Sequence, residues 1–277
     1  MTLPPDFQFS QTNLQDYVDC ARRFELRYLL HVQWPAPISE PVQLHEQHML
    51  QGHRFHRMVQ QHLAGIPAQH LAPGPEDTDL QRWWQHYLEY KPLDGLPEQR
   101  YPEHLLSASL AGFRLVAQYD LVAIEPGQRV VILDWKTQRK KPSLSSQKNR
   151  MQTRLYPFLM VMAGERLNGG QPLQPEQVEL IYWFTEFPTE PQRIPYSASQ
   201  YEADRRDLAG LITTLSQQQP GEFPLTPRRE RCAFCNYRSL CDRGVRAGDW
   251  QQADEELPEE PSRPLEIDFD QIGEISF

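Results

Sequence analysis

The stretch Val130-Val131-Ile132-Leu133-Asp134-Trp135-Lys136 decides how this chain is read. Four apolar, mostly β-branched residues run into an acid, an aromatic and a lysine, the pattern of a buried strand that ends at a polar rim. Side chains alternate along a strand, so Asp134 and Lys136 project from the same face. Upstream, residues 113–124 (FRLVAQYDLVAI) read as a partner strand carrying Asp120. Glu125-Pro126-Gly127-Gln128 reads as the hairpin turn between them. A hairpin centred on Gly127 places Asp120 opposite Asp134, whereas a two-residue Pro-Gly loop shifts the register by one. Facing carboxylates repel by roughly 0.2–1 kcal/mol in an exposed sheet and by more when buried. A divalent cation between them removes the repulsion. A neighbouring lysine can stabilise developing negative charge or help deprotonate a metal-bound water. The competing reading is a solvated charged patch at a strand end.

At 277 residues the chain is long enough to bury a full core, and one domain with additions is expected. No apolar run is long enough to span a membrane, and the opening residues carry no basic-then-apolar leader, so a cytoplasmic location is expected. The 25 prolines fall mostly in connecting segments, notably 35–41, 67–75, 92–102 and 188–195, which read as loops. The net charge of −9 is unevenly spread: residues 249–277 hold ten acids and one base, so the rest of the chain is neutral. Within that neutral body, residues 137–156 carry Arg139, Lys140, Lys141, Lys148, Arg150 and Arg154 and no acid. A basic loop directly after Lys136 suits a polyanionic substrate such as nucleic acid; the bland alternative is a solvated loop.

The chain has four cysteines, Cys20, Cys232, Cys235 and Cys241. The last three form C-x2-C-x5-C, a spacing that lets a short turn wrap a tetrahedral metal or a cluster. Three ligands leave such a site one short, and Cys20 is the remaining thiol. Metal or cluster binding is expected over disulfides. Spacing does not separate zinc from iron–sulfur, and Cys20 as an ordinary buried thiol is the plain alternative. Cys20 falls on an expected N-terminal helix with Ser10 as N-cap and Leu14, Tyr17, Val18, Ala21, Phe24 and Tyr28 at helical spacing. If the site closes, it staples the N-terminal helix to the C-terminal segment.

Residues 43–64 read as a helix containing Gly52 and His56, the latter a candidate metal ligand or orienter in competition with His48, His53 and His62. Residues 150–163 read as a helix with Pro157 as an irregularity, on which Gln152 and Tyr156 share a face. Val178 to Phe187 reads as a further strand and 197–218 as an amphipathic helix. Trp83, Trp84 and Tyr87 read as helix packing, with base stacking the weaker alternative.

Taken in order, these landmarks resemble the PD-(D/E)XK nuclease superfamily, and within it the RecB-type branch that carries an iron–sulfur cluster. That branch includes the nuclease domains of bacterial helicase–nucleases and the CRISPR-associated adaptation nucleases. The opening FSQTNLQDYVDCARRFELRYLL is similar to the first segment, with Cys20 at the cluster position. Gly52-x-x-x-His56, Asp120, Asp134-Trp135-Lys136, Gln152-x-x-x-Tyr156 and Cys232/Cys235/Cys241 match the remaining motifs. Two positions depart from the pattern: Ala21 follows the first cysteine where proline is usual, and Ala117 stands where glycine often precedes the first acid.

The resemblance implies an α/β fold with a restriction-endonuclease-like central mixed sheet flanked by helices. It implies a nuclease domain over 1–248, its ends joined by a 4Fe-4S cluster on Cys20, Cys232, Cys235 and Cys241, with zinc as the alternative. It also implies Mg²⁺ or Mn²⁺ held by Asp120, Asp134, the Trp135 carbonyl and His56, with Lys136 positioning water or stabilising charge. Gln152, Tyr156 and the six basic residues of 137–156 would support the site and contact DNA. The expected activity is a metal-dependent deoxyribonuclease, acting as an exonuclease on single strands or DNA ends in repair, recombination or CRISPR adaptation. The alternative is a catalytically silent DNA-binding subunit of a helicase–nuclease complex. No helicase motif is present, so the chain is read as a stand-alone nuclease or a subunit that borrows its motor.

Residues 249–277 have the composition of a disordered tail. The end, IDFDQIGEISF, is similar to the acidic tips of bacterial single-stranded-DNA-binding proteins. It is read as a dock for a helicase or repair partner, as a segment folding back on the basic loop, or as a solubilising tail.

Overall fold

A computed structural model describes residues 3–33 and 40–244. The acidic stretch 249–277, with its expected roles, lies outside the described residues, as does most of the 35–41 loop.

Six strands form one mixed sheet in the order β1-β3-β4-β5-β6, with β2 also on β3. The hub is β3 (Phe113–Glu125), rich in the β-branched and aromatic residues that suit a pleated, buried surface. One edge of β3 is taken along its length by antiparallel β2 (Gln99–Leu110), from Gln99↔Ile124 to Leu110↔Phe113. The other edge is shared. β1 (Gln8–Phe9) pairs parallel with Arg114 and Leu115, and β4 (Arg129–Lys136) pairs antiparallel from Glu125↔Arg129 to Leu121↔Leu133. The hairpin register is therefore the one centred on Gly127. Its turn closes with Gln128 N donating to Glu125 O at 3.0 Å, and Gly127 supplies a φ of +78° that a side chain would resist. β5 (Val178–Phe184) runs parallel to β4 and pairs Asp134 with Tyr182. Antiparallel β6 (Gln192–Pro195) closes that edge.

Helices cover both faces, as a sheet with strands buried on two sides requires. On one face lie α1 (Gln11–Asp19), α2 (Ala21–Phe24), α6 (Met151–Ala163) and α7 (Ala198–Gln217), packed on Leu115, Tyr119, Ile132 and Tyr182. On the other lie α3 (Glu40–Leu63) and α4 (Thr78–Tyr90), packed on Leu121, Ala123, Val131 and Leu133. Trp83, Trp84 and Tyr87 belong to this second core, and Trp83 is fully buried, which removes it as a base-stacking platform. A short helix, α5 (Leu144–Lys148), interrupts the basic loop. Among the described residues, no helix is long and apolar enough to cross a membrane.

Three expectations are corrected. The N-terminal helix is not continuous: α1 stops at Cys20, whose backbone is extended (φ −160°, ψ 105°), and the chain restarts as α2 and a π-turn over Glu25–Leu29. Cys20 thus stands at a joint rather than on a helix. The joint has a physical reason: it brings Arg22 N to Pro224 O at 3.1 Å, so the N-terminal segment docks on the C-terminal one. The strand expected over 178–187 ends at Phe184, and part of the expected 188–195 loop is β6, whose short edge pairing carries little sequence signal. The end of the expected 92–102 loop is the start of β2.

Candidate active site

The phase of β3 changes at Asp120. Leu115, Ala117 and Tyr119 face the α6 side, and so do Val122 and Ile124, while Leu121 and Ala123 face α3. An alternation of odd residues becomes one of even residues, with Asp120 at the switch. Opposite it on β2, Glu103 has a φ of +49°, a left-handed value a non-glycine residue holds at a cost of order 1–3 kcal/mol. Leu121↔Leu133 is the last regular pair before β3 and β4 part. In place of the next rung, the Trp135 N–H donates to Asp120 Oδ2 at 2.8 Å. The splayed strand ends leave Asp120 and Asp134 facing across a gap instead of a backbone ladder.

α3 delivers His56 to this gap. Gly52 packs so tightly on the end of β4 that a Cβ there would meet Thr137 Oγ1 at 2.8 Å, and His48 Nε2 lies 3.1 Å from the Thr137 carbonyl. One turn after Gly52, His56 Nδ1 stands 3.3 Å from Asp120 Oδ1. Burial pulls the imidazole down, but Asp120 outweighs it and raises the ring to about 9. Burial pushes Asp120 up, and His56, the Trp135 N–H and Lys136 together hold it below its usual range. Of the competing histidines, His48 is turned to Thr137 and His62 to the Ile66 carbonyl, while His53 is exposed.

Asp134 is 2% exposed. Its Oδ2 accepts from Gln152 Nε2 at 2.6 Å, and its Oδ1 lies 2.8 Å from Lys136 Nζ without a well-aligned hydrogen bond. Lys136 Nζ donates to Gln152 Oε1 at 2.8 Å, which closes a three-membered ring of contacts, and sits 5.2 Å above the Tyr182 ring. Burial lifts Asp134 to about 7; Lys136 opposes the rise and Asp120 adds to it.

The other predicted residues divide between those packed inside the fold and those at its surface. Tyr156 is buried and donates to the Gln118 carbonyl at 2.7 Å, while Tyr119 donates to the Tyr156 carbonyl at 3.0 Å. Arg154 binds Asp204 and Asp207 on α7, both at 2.6 Å, so its charge is already matched inside the fold. Lys141 pairs with Glu190, and Arg139 donates to Asp79 at 3.1 Å. Lys140 and Lys148 are exposed and Arg150 is half-buried.

Sequence reasoning passed over Glu103. It is half-buried, accepts from Gln118 Nε2 at 2.6 Å, and has its carboxyl raised by burial and by Asp120. The available signal was an acid beside Pro102 at the start of a strand run, which reads equally as a loop edge.

At the opposite end of the N-terminal segment the four cysteines are all free thiols. Burial pushes up Cys232, Cys235 (to about 11) and Cys241, and Cys20 adds to the rise in each. The four thiols therefore share one corner. Arg23 and Arg243 oppose the rise there. The segments around residues 17–25 and 218–223 also meet directly: Tyr17 OH donates to Gln218 Oε1 at 2.9 Å, Gly221 N to Glu25 Oε1 at 2.6 Å, and Phe24 stacks on Phe223 at 6.2 Å.

The sequence signature of the PD-(D/E)XK nuclease superfamily matches residues 8–242. This chain belongs to that superfamily. No curated protein matches it with significance. Among solved structures it is similar to SSO0001, at 14% identity over 84% of this chain and 85% of that one, with a TM-score of 0.41. It is also similar to a protein described as a candidate exonuclease from Eubacterium rectale, at 8% identity over 75% and 79% of the two chains, with a TM-score of 0.47.

PD-(D/E)XK nucleases generally use divalent metals. Among the described residues, no three His, Cys, Asp or Glu side chains converge closely enough to hold a metal ion. The donor set at the strand ends nonetheless suits Mg²⁺ or Mn²⁺. It has two hard carboxylates, one with a buried, poorly satisfied oxygen, and such ions usually complete their shell with water and substrate phosphate. At the cysteine corner the chemistry of four free thiols fits zinc or an iron–sulfur cluster, but their spacing is not that of a closed site.

Proposed function

We propose that this chain is a Mg²⁺- or Mn²⁺-dependent deoxyribonuclease that hydrolyses phosphodiester bonds at single strands or DNA ends, on the RecB-type plan. The observation that carries the reading is the Asp120, Asp134, Lys136 and Gln152 constellation at the splayed ends of β3 and β4. Asp120, Asp134, the Trp135 carbonyl and His56 would hold the ion, which when bound supplies a Lewis acid and lowers the pKa of its water. Asp120 is held ionised by its neighbours, so one ligand is ready at neutral pH. Asp134 and His56 must each lose a proton to become ligands, so loading releases protons. Lys136 is fixed between Asp134, Gln152 and the Tyr182 ring, where its ammonium would face the negative charge that develops on phosphate. Gln152 bridges acid and base and so sets the distance between them.

We further propose that the four cysteines bind a 4Fe-4S cluster that staples the chain ends, with zinc as the alternative. The C-x2-C-x5-C spacing, the shared corner and the arginines that favour thiolates support this. Colour and iron content of anaerobically purified protein decide between them. Cleavage of end-labelled single- and double-stranded DNA with Mg²⁺ or Mn²⁺, beside Lys136→Ala, tests the nuclease. Folded, cluster-loaded protein that binds DNA but never cleaves it would replace this reading with that of a DNA-binding subunit.

A further inference from the structure

Arg23 on α2 is buried, and its charge is met by two acids. Nη2 lies 2.8 Å from Asp16 Oδ1 and 3.0 Å from Asp19 Oδ2. Both contacts use the same nitrogen. Among the described residues, Arg23 Nε, also buried, has no hydrogen-bond acceptor. A buried N–H left in this way is rare in folded proteins and calls for a specific reason.

The surroundings supply one. Arg23 follows Cys20 by three residues, and its backbone N–H donates to the Cys20 carbonyl at 2.9 Å. Leu26, three residues further and on the same face, packs with Cys235 and Tyr237 in one buried cluster. From the C-terminal side, Arg231 Nη1 lies 3.8 Å from Asp19 Oδ1, so the acid that holds Arg23 also reaches the residue before Cys232. Arg23 is bracketed by Cys20 on its own segment and by Cys232 and Cys235 on the other. The charges agree with this placement. Burial pulls Arg23 down, but Asp16, Asp19 and Cys235 raise it above the ordinary arginine value. Burial pushes Cys235 up, and the Tyr237 N–H and Arg23 both oppose the rise.

Cys235 is itself fixed. Its backbone N–H donates to the Cys232 carbonyl at 3.1 Å, and its carbonyl accepts from Arg238 Nη1 at 3.1 Å. Its sulfur takes the Tyr237 backbone N–H. A neutral thiol is a weak acceptor, whereas a thiolate is a charged one, and charge-assisted hydrogen bonds are roughly twice as strong as neutral ones.

We propose that Arg23 is a positioning residue of the cysteine corner, its Nε–H reserved for the sulfur of Cys235 once that sulfur is a thiolate bound to metal. This rests on the reading of the four cysteines as a metal site and deepens it. The ion cluster of Asp16, Asp19 and Arg23 then belongs to the metal site as well as to the fold. Asp16 and Asp19 anchor the guanidinium through Nη2, and the leftover donor meets the ligand. Lysine can keep the ion pair but is a point charge without a second, fixed donor.

The test uses full-length, anaerobically purified protein carrying the iron or zinc that elemental analysis finds in it, titrated with a competing chelator. Arg23→Lys keeps the charge opposite Asp16 and Asp19. It is expected to lower the chelator concentration that strips half the metal by about 10–100-fold, the usual effect of losing a partner of a metal ligand. Arg27→Lys disturbs the same Asp16, which Arg27 meets at 2.8 Å, and is expected to leave retention unchanged. Alkylation during partial stripping, read at each cysteine by mass spectrometry, locates the effect. In wild-type protein Cys235 is expected to label last, a result that needs no variant to fold. In Arg23→Lys it is expected to label together with Cys20, Cys232 and Cys241. A merely structural loosening would speed all four and keep their order, so an unchanged order overturns the proposal. So does wild-type protein in which Cys235 is not last, unchanged retention in Arg23→Lys, or an equal loss in Arg27→Lys. Wild-type protein that carries neither iron nor zinc refutes the metal reading itself.

Discussion

The strand ends that carry Asp120 and Asp134 and the cysteine corner both bury charge, but they balance it differently. At the corner, Arg23 is 3% exposed and lies between Asp16 at 2.8 Å and Asp19 at 3.0 Å, and Asp16 also takes Arg27 and the Tyr28 hydroxyl. Opposite charges are matched by the protein itself. At the strand ends two carboxylates are drawn together, one of them is lifted to about 7, and its inner oxygen is poorly satisfied. A matched cluster holds the fold, whereas an imperfectly matched one waits for a ligand. Removing a partner at the corner should therefore damage stability, and at the strand ends it should damage chemistry.

Lys136→Ala sharpens this contrast most. We expect cleavage of end-labelled DNA to fall by about 10²–10³-fold, as for loss of one preorganised charge-stabilising group, with little change in melting temperature. Arg23→Ala should do the reverse. Leaving Asp16 and Asp19 buried without it should cost about 3–5 kcal/mol in chemical denaturation, while the folded fraction cleaves normally. A stable Arg23→Ala protein with no activity would erase the distinction.

The hairpin that carries both acids was legible from sequence, because β-branched runs around a Pro-Gly turn leave few alternatives and Gly127 centres the register. The phase switch at Asp120 was not. It arises where β3 loses β4 as a neighbour and Glu103 opposite adopts a positive φ, and neither event has a local sequence signature. By residue type alone His56 was one histidine among several, and only the Gly52-x-x-x-His56 spacing of the resemblance set it apart. It is selected by the close approach of Gly52 to Thr137, a contact between residues far apart in sequence. The partners of Arg154 were not legible either, because basic residues in one run need not share a surface: a turn of α6 carries it to Asp204.

That close approach gives a smaller prediction. Gly52→Ala forces Thr137 aside and should cost about 1–3 kcal/mol. Because the displaced residue follows Lys136, cleavage should also weaken, which links the two regions more tightly than the contrast alone suggests. Equal stability and activity in this variant would mean that α3 does not set the position of His56.

The smallest effect is in pH. Asp134 titrates near 7 in the folded chain and near 3.9 when unfolded. Its contribution to metal-free stability is thus present below about pH 4 and is lost as pH rises through about 7. A bound cation favours the ionised form, so Mn²⁺ affinity measured calorimetrically should rise across that window and then climb more gently toward the His56 value of about 9. Asp134→Asn should flatten the lower part of the curve. A wild-type curve already flat there would place Asp134 outside the ion's shell.

The two tyrosines that join α6 to β3 have a consequence for how such an enzyme can diversify. Tyr119 and Tyr156 each donate to a backbone carbonyl on the other's element, one at 3.0 Å and one at 2.7 Å. This reciprocal clasp fixes the register of the helix on the sheet independently of the loop that leads into it. The exposed part of that loop, residues 143–145, can therefore lengthen, shorten or change charge while Gln152 stays against Asp134. Selection can act on the charge of that loop while leaving the geometry around Asp134 intact.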